Sequence, residues 1–147
     1  MKNVCIQGLG FVGSAMAIAV ASAQNYEGQP LYTVTGVDLA TDQGIARVNA
    51  INKGMFPFST SDQNIHEALE AIAKFGNLIA TTEESAYKLA DIVVVDVPFD
   101  ISSLETENQL QIASFEEAIR VLARQVPEGA LIIIETTVPP GTCENLI

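Results

Sequence analysis

Apolar and polar residues alternate in blocks along this chain, and each block predicts one element. Asn3-Val4-Cys5-Ile6-Gln7 is a short apolar run and reads as a strand. Gly8-Leu9-Gly10-Phe11-Val12-Gly13 follows at once, and residues 14–21 read as a helix. Residues 24–30 are polar and carry Gly and Pro, the mark of a loop. Residues 31–37 form a second apolar run that ends in Asp38. Thr41 or Asp42 then caps a helix with Ile45, Val48 and Ile51 on one side, stopped at Gly54. Met55-Phe56-Pro57-Phe58 is an apolar connector. The Ser/Thr/Asp cluster at 59–62 opens another helix, with Ile65, Leu69, Ile72 and Phe75 as its expected buried stripe and Gly76 at its C′ position. Residues 77–80 are a short strand, and Thr82 is expected to cap a helix over 83–89.

Residues 91–97 are nearly all apolar, which suits a parallel strand covered on both faces, and Pro98 ends it. Residues 99–113 are polar without clear period and read as a long loop. Ser114 with Glu117 predicts a capping box, from which Phe115, Ala118, Ile119 and Leu122 continue an amphipathic helix. Pro127-Glu128-Gly129 is a turn, residues 130–135 are another buried strand, and Pro139-Pro140-Gly141 closes the pattern. This alternation predicts an α/β fold, a doubly wound parallel sheet of the Rossmann type, as one domain over 1–147. The expected strand order is 3-2-1-4-5, with ligand bound where the order reverses. That order sets the strand ends at Gly8, Val97-Pro98 and Thr136-Thr137 along one crevice.

Composition narrows the function. Seven basic residues stand against eighteen acidic ones, a net charge of −11, which argues against a nucleic-acid surface. An anionic cofactor still fits, because backbone N–H groups at a helix start need no lysine. Cys5 lies in a predicted buried strand, so a Cys5–Cys143 framework is not expected and a reducing cytoplasm is. No apolar run approaches the roughly 18 residues of a membrane span. Lys2, the apolar stretch and Ala21-Ser22-Ala23 imitate a signal peptide, but three glycines would interrupt its apolar region.

The glycines carry the chemistry. In strand–turn–helix context, Gly8 permits the tight turn, Gly10 lets a pyrophosphate approach the backbone, and Gly13 lets helix and strand pack closely. The bare pattern also fits a glycine turn with no ligand. Asp38 adds an acid at the end of the second strand, placed to accept hydrogen bonds from an adenosine ribose. The Asp repels a 2′-phosphate and no Lys or Arg follows it immediately, so NAD is expected over NADP. Cys143 has no histidine or lysine motif beside it and reads as an inert thiol. His66 reads as a solvated helix position. No metal-ligand spacing occurs. Glu83-Glu84 and Glu116-Glu117 are expected in first helical turns, where they favour the dipole.

Four stretches together resemble the UDP-glucose/GDP-mannose dehydrogenase family in its N-terminal NAD-binding domain. They are Gly8-Leu9-Gly10-Phe11-Val12-Gly13; Gly36-Val37-Asp38 with Arg47-Val48-Asn49; the run from Ala90 through Val97-Pro98; and Glu135-Thr136-Thr137-Val138-Pro139-Pro140-Gly141-Thr142. The last is the most specific, and the likeness spans the whole chain. The resemblance implies cofactor contacts at Gly8, Gly10, Phe11, Val12, Gly13, Asp38, Arg47, Val97, Pro98 and Thr137. It implies that Thr137 also positions water and substrate near the reacting carbon; the plainer reading has Thr137 cap the turn before Pro139. Arg47 matches the family's ribose-side arginine or is a solvated helix charge. Such enzymes oxidise a nucleotide-sugar CH₂OH to a carboxylate in two NAD-dependent steps, for polysaccharide biosynthesis. Their cysteine nucleophile lies in a C-terminal part with no counterpart here, so the chain is expected to bind NAD and to be inactive alone. A homodimer is implied for the full-length enzyme. The sequence departs at Phe99-Asp100, where the family commonly has Thr-Pro, and in a longer segment between Asp38 and Arg47. A β-hydroxyacid dehydrogenase shares the opening motif but not the 135–142 run. A stand-alone dinucleotide sensor is the non-enzymatic alternative.

Overall fold

The structure, a computed structural model, describes residues 1–99 and 105–145. Its strands are β1 (Lys2–Gln7), β2 (Tyr32–Val37), β3 (Leu78–Thr81), β4 (Ile92–Val95) and β5 (Leu131–Ile134). They form one parallel sheet in the order β3-β2-β1-β4-β5. Its helices are α1 (Phe11–Ser22), α2 (Asp42–Asn52), α3 (Gln63–Phe75), α4 (Glu105–Gln125) and α5 (Thr142–Asn145), with a 3-10 helix at Glu84–Leu89.

Side-chain alternation along the strands builds two cores. Val4, Ile6, Val34 and Val94 face α1, α2 and α3, whose Ala17, Ile18, Val48, Ile51, Leu69 and Ile72 cover them. Cys5, Val93 and Val95 face the other way, onto Tyr87 of the 3-10 helix and onto Phe115 and Leu122 of α4. Helices on both faces make the sheet doubly wound, as the sequence predicts.

Several local expectations are corrected. Ile45 is exposed, because α2 turns its Gly44–Val48–Ile51 side inward. Phe75 is also exposed; after Leu69 and Ile72 the inward stripe would next fall on Gly76, where the backbone turns left-handed. Thr82 caps nothing in the helix that follows. Thr81 Oγ1 accepts the Glu83 N–H at 3.1 Å, and the segment winds as a 3-10 helix without a side-chain cap. The predicted loop over 99–113 lies partly outside the described residues, at 100–104; from Glu105 it is helix. Glu, Gln, Leu and Ala there are strong helix formers, and propensity decides where the apolar period is blurred. Ser114 is therefore mid-helix and opens no capping box. Glu116 and Glu117 are also mid-helix and pair with Arg120 and Arg124 at 3.7 and 3.6 Å. Finally, β5 is not buried. Leu131, Ile132 and Ile133 are 55%, 37% and 43% exposed, because β5 is the sheet's edge and pairs only with β4 among the described residues.

The loop over 24–30 forms as expected. Asn25 Oδ1 accepts the N–H groups of Glu27 and Gln29 at 2.9 Å, and one bridge joins Gln24 to Pro30.

Candidate functional site

The glycine turn lies at the carboxyl end of β1, the middle strand. Gly8 has φ +92, and its N–H donates to the Val37 carbonyl at 2.8 Å. A Cβ on Gly8 would collide with the Asp96 carbonyl oxygen. Leu9 points down and is fully buried against Gly36 of β2. Gly10 caps α1 in extended conformation with no side-chain hydrogen bond, and a Cβ there would meet nothing within 4 Å. The space outside the turn is therefore open. Phe11 and Val12 open the helix and are both exposed, so its first turn faces that space without a side-chain cap. A Cβ on Gly13 would strike the Gly8 carbonyl oxygen and fall 2.8 Å from Asp96 Oδ2. Ser14 Oγ donates to the Leu9 carbonyl at 2.9 Å and ties the turn to the helix.

On the β2 side, the Asp38 N–H donates to the Thr81 carbonyl at 3.1 Å. Asp38 Oδ1 accepts the Leu39 N–H at 2.8 Å, and Oδ2 accepts from Arg47 Nη1 at 3.3 Å. The Asp38 side chain is 8% exposed and Arg47 is 30% exposed. Of the two readings of Arg47, the solvated helix charge does not describe it: from α2 its guanidinium lies back over the end of β2. Its guanidinium also sits 5.6 Å from the centroid of the Phe58 ring.

On the β4 side, the chain leaves the sheet through Asp96, Val97 and Pro98. Burial raises the Asp96 carboxyl above its usual range, and the Gly13 N–H pulls it partly back. Glu135, at the end of β5, is raised by burial and by the Asp96 charge. Thr136 Oγ1 donates to the Val97 carbonyl at 2.8 Å and joins the two strand ends. Thr137 follows, exposed, at the same end of the sheet.

The structure thus brings Gly8 and Gly13 against Asp96, pairs Asp38 with Arg47, and ties Val97 to Thr136. Asp38 stands on one side of the glycine turn; Val97, Pro98 and Thr137 stand on the other. Three features escape a sequence reading. Asp96 reads as part of an apolar strand, yet it touches the glycine turn. Thr136 has no role in the sequence reading, yet its hydroxyl joins the ends of β4 and β5. Phe56 and Phe58 read only as connector.

Neither cysteine offers a nucleophile by environment. Cys5 is buried and its thiol is pushed up to about 11 by desolvation; Cys143 is exposed and unpaired. Among the described residues, no group of three His, Cys, Asp or Glu is placed to hold a metal ion, and no helix is long and apolar enough to cross a membrane.

The comparison with known families agrees with this geometry. The profile of the UDP-glucose/GDP-mannose dehydrogenase family, NAD binding domain, matches residues 2–147. The chain belongs to that family. Its cofactor is NAD. The open space at Gly10, the uncapped start of α1 and the acid at Asp38 fit a dinucleotide. A UDP-N-acetyl-D-mannosamine dehydrogenase of Pyrococcus horikoshii is 28% identical over 144 residues, 98% of this chain and 30% of that protein. Another, of Campylobacter jejuni, is 31% identical over 145 residues, 99% of this chain and 31% of its own length. In fold, the chain resembles the NDP-N-acetyl-D-galactosaminuronic acid dehydrogenase of Methanosarcina mazei, with TM-score 0.81 at 20% identity over 99% of this chain and 30% of that one. The chain thus spans about 30% of the length of these relatives.

Proposed function

We propose that this chain is the cofactor domain of a nucleotide-sugar 6-dehydrogenase, which oxidises a UDP- or GDP-sugar CH₂OH to a carboxylate in two NAD-dependent steps. The observation that carries the proposal is the family match over 2–147 of a chain whose Glu135-to-Thr142 run follows β5 into the crevice. Bound NAD⁺ would supply the hydride acceptor. Gly8, Gly10, Phe11, Val12 and Gly13 would hold the pyrophosphate, while Asp38 and Arg47 would hold the adenosine ribose. Val97, Pro98 and Thr137 would line the nicotinamide side. The Thr137 hydroxyl would orient water and substrate. Thr136 supports this placement: its hydroxyl is committed to Val97, which leaves Thr137 as the exposed one. We place the full-length enzyme in the cytoplasm, where free thiols such as Cys5 and Cys143 persist, and as a homodimer on the family resemblance.

Two outcomes are expected. This chain, mixed with NAD⁺ and UDP-glucose, UDP-N-acetylmannosamine or GDP-mannose, should form no NADH, because on this reading the residues that bind the sugar and take its proton, and the cysteine nucleophile, belong to the enzyme's substrate domain. The full-length gene product should form NADH with one of them. NADH from the isolated chain, or a full-length product that turns over none, would overturn the assignment. In the full-length enzyme, Thr137→Ala should lower kcat by roughly tenfold to a hundredfold, the worth of one hydrogen bond of ~1.5–3 kcal/mol made in the transition state. In this chain it should lower NAD affinity only modestly. An unchanged kcat would reduce Thr137 to a turn cap.

A further inference from the structure

Three phenylalanines meet beside the glycine turn. Phe11 packs edge-on to Phe56 with centroids 5.3 Å apart, and Phe58 lies 5.6 Å from both. Phe11 belongs to the first turn of α1, whereas Phe56 and Phe58 come from the connector after α2. The cluster joins the phosphate turn to the segment behind the ribose acid. Its far ring, Phe58, carries the Arg47 guanidinium at 5.6 Å, and Arg47 reaches Asp38 at 3.3 Å. Phe11, Phe58, Arg47 and Asp38 thus form one continuous line along the adenosine side of the site.

Arginine has many rotamers, and a single carboxylate contact at 3.3 Å does not fix its plane. The Phe58 ring adds a second contact, because an aromatic face attracts a guanidinium within about 6 Å of its centroid. An anionic cofactor approaches a protein of net charge −11, and a cation held in place relieves that repulsion where a wandering one does not.

We propose that Phe58 is a positioning residue for the adenosine half of NAD, acting through Arg47. The proposal rests on the NAD reading of the site and extends it to a connector that reaches the glycine turn through Phe11. Phe58 holds Arg47 over the end of β2, so that the arginine is ordered before the cofactor arrives. Without the ring, NAD binding itself must order that side chain.

The test is a double-mutant cycle read by calorimetric NAD titration. Phe58→Leu should weaken NAD about threefold to tenfold, the cost of ordering one long side chain on binding. Arg47→Met should weaken it at least as much. The double variant should bind no more weakly than Arg47→Met alone, because Phe58 then has nothing to hold. Phe58→Tyr keeps the ring face and should restore wild-type affinity. Arg47→Lys keeps the charge but not the planar guanidinium, and should resemble Phe58→Leu. An equal loss from Phe58→Leu in the Arg47→Met background would overturn the proposal, since Phe58 would then act on packing alone. Unchanged affinity in both Phe58→Leu and Arg47→Lys would overturn it too. A wild-type chain that bound no NAD would remove the cofactor reading itself and the proposal with it.

Discussion

Gly8→Ala should destabilise the chain by roughly 2–5 kcal/mol and abolish measurable NAD binding. Two costs add. The backbone at Gly8 has φ +92, where an L-residue pays about 1–2 kcal/mol. The new methyl would also press on the Asp96 carbonyl, which is backbone and cannot swing aside; forced overpacking costs about 1–3 kcal/mol. Relief requires β1 and β4 to separate at their carboxyl ends, and that is where the cofactor binds. Gly10→Ala provides the contrast. Its φ is −60 and a methyl there meets nothing, so the variant should lose only the roughly 1 kcal/mol of a poorer N-cap while losing NAD affinity. Urea unfolding and calorimetry on both variants would check this. A Gly8→Ala chain with the wild-type midpoint would show that the turn is not built as described.

Asp38→Ala should weaken NAD roughly tenfold or more, the equivalent of one charge-assisted hydrogen bond at ~1.5–3 kcal/mol. The structure adds a second consequence. Asp38 also restrains Arg47, and removing the acid frees that guanidinium 3.3 Å from where the carboxylate was. A ribose 2′-phosphate repelled by Asp38 is a good partner for a free arginine. NADP affinity should therefore hold steady or rise as NAD affinity falls, and the preference should collapse. Titrating both cofactors into both proteins gives the four affinities. An equal loss for NAD and NADP would show that Asp38 acts on the fold and not on the ribose.

The sheet order, the glycine turn and Asp38 were legible in the sequence because each rests on local chemistry. Strand runs end at breakers, glycine marks a backbone that no side chain tolerates, and an acid at a strand end has few structural reasons to be there. Residues 105–113 were misread because polarity without clear period looks like loop, though Glu, Gln and Leu favour helix. The exposed face of β5 was misread because an apolar run does not say whether the strand lies at the centre or the edge. The resemblance sets Asp38 and Arg47 at the ribose separately, but their ion pair and the Phe11–Phe56–Phe58 cluster are not legible in the sequence. Asp38 and Arg47 lie 9 residues apart, and Phe11 lies 45 and 47 residues from Phe56 and Phe58, so only the fold brings them together.

The central claim is that this domain binds NAD through the glycine turn and Asp38. A calorimetric titration of the wild-type chain with NAD and with NADP, at one salt concentration, tests it most directly. The account predicts saturable binding of NAD at a single site, with NADP distinctly weaker. No saturable NAD binding, or tighter binding of NADP, would contradict it.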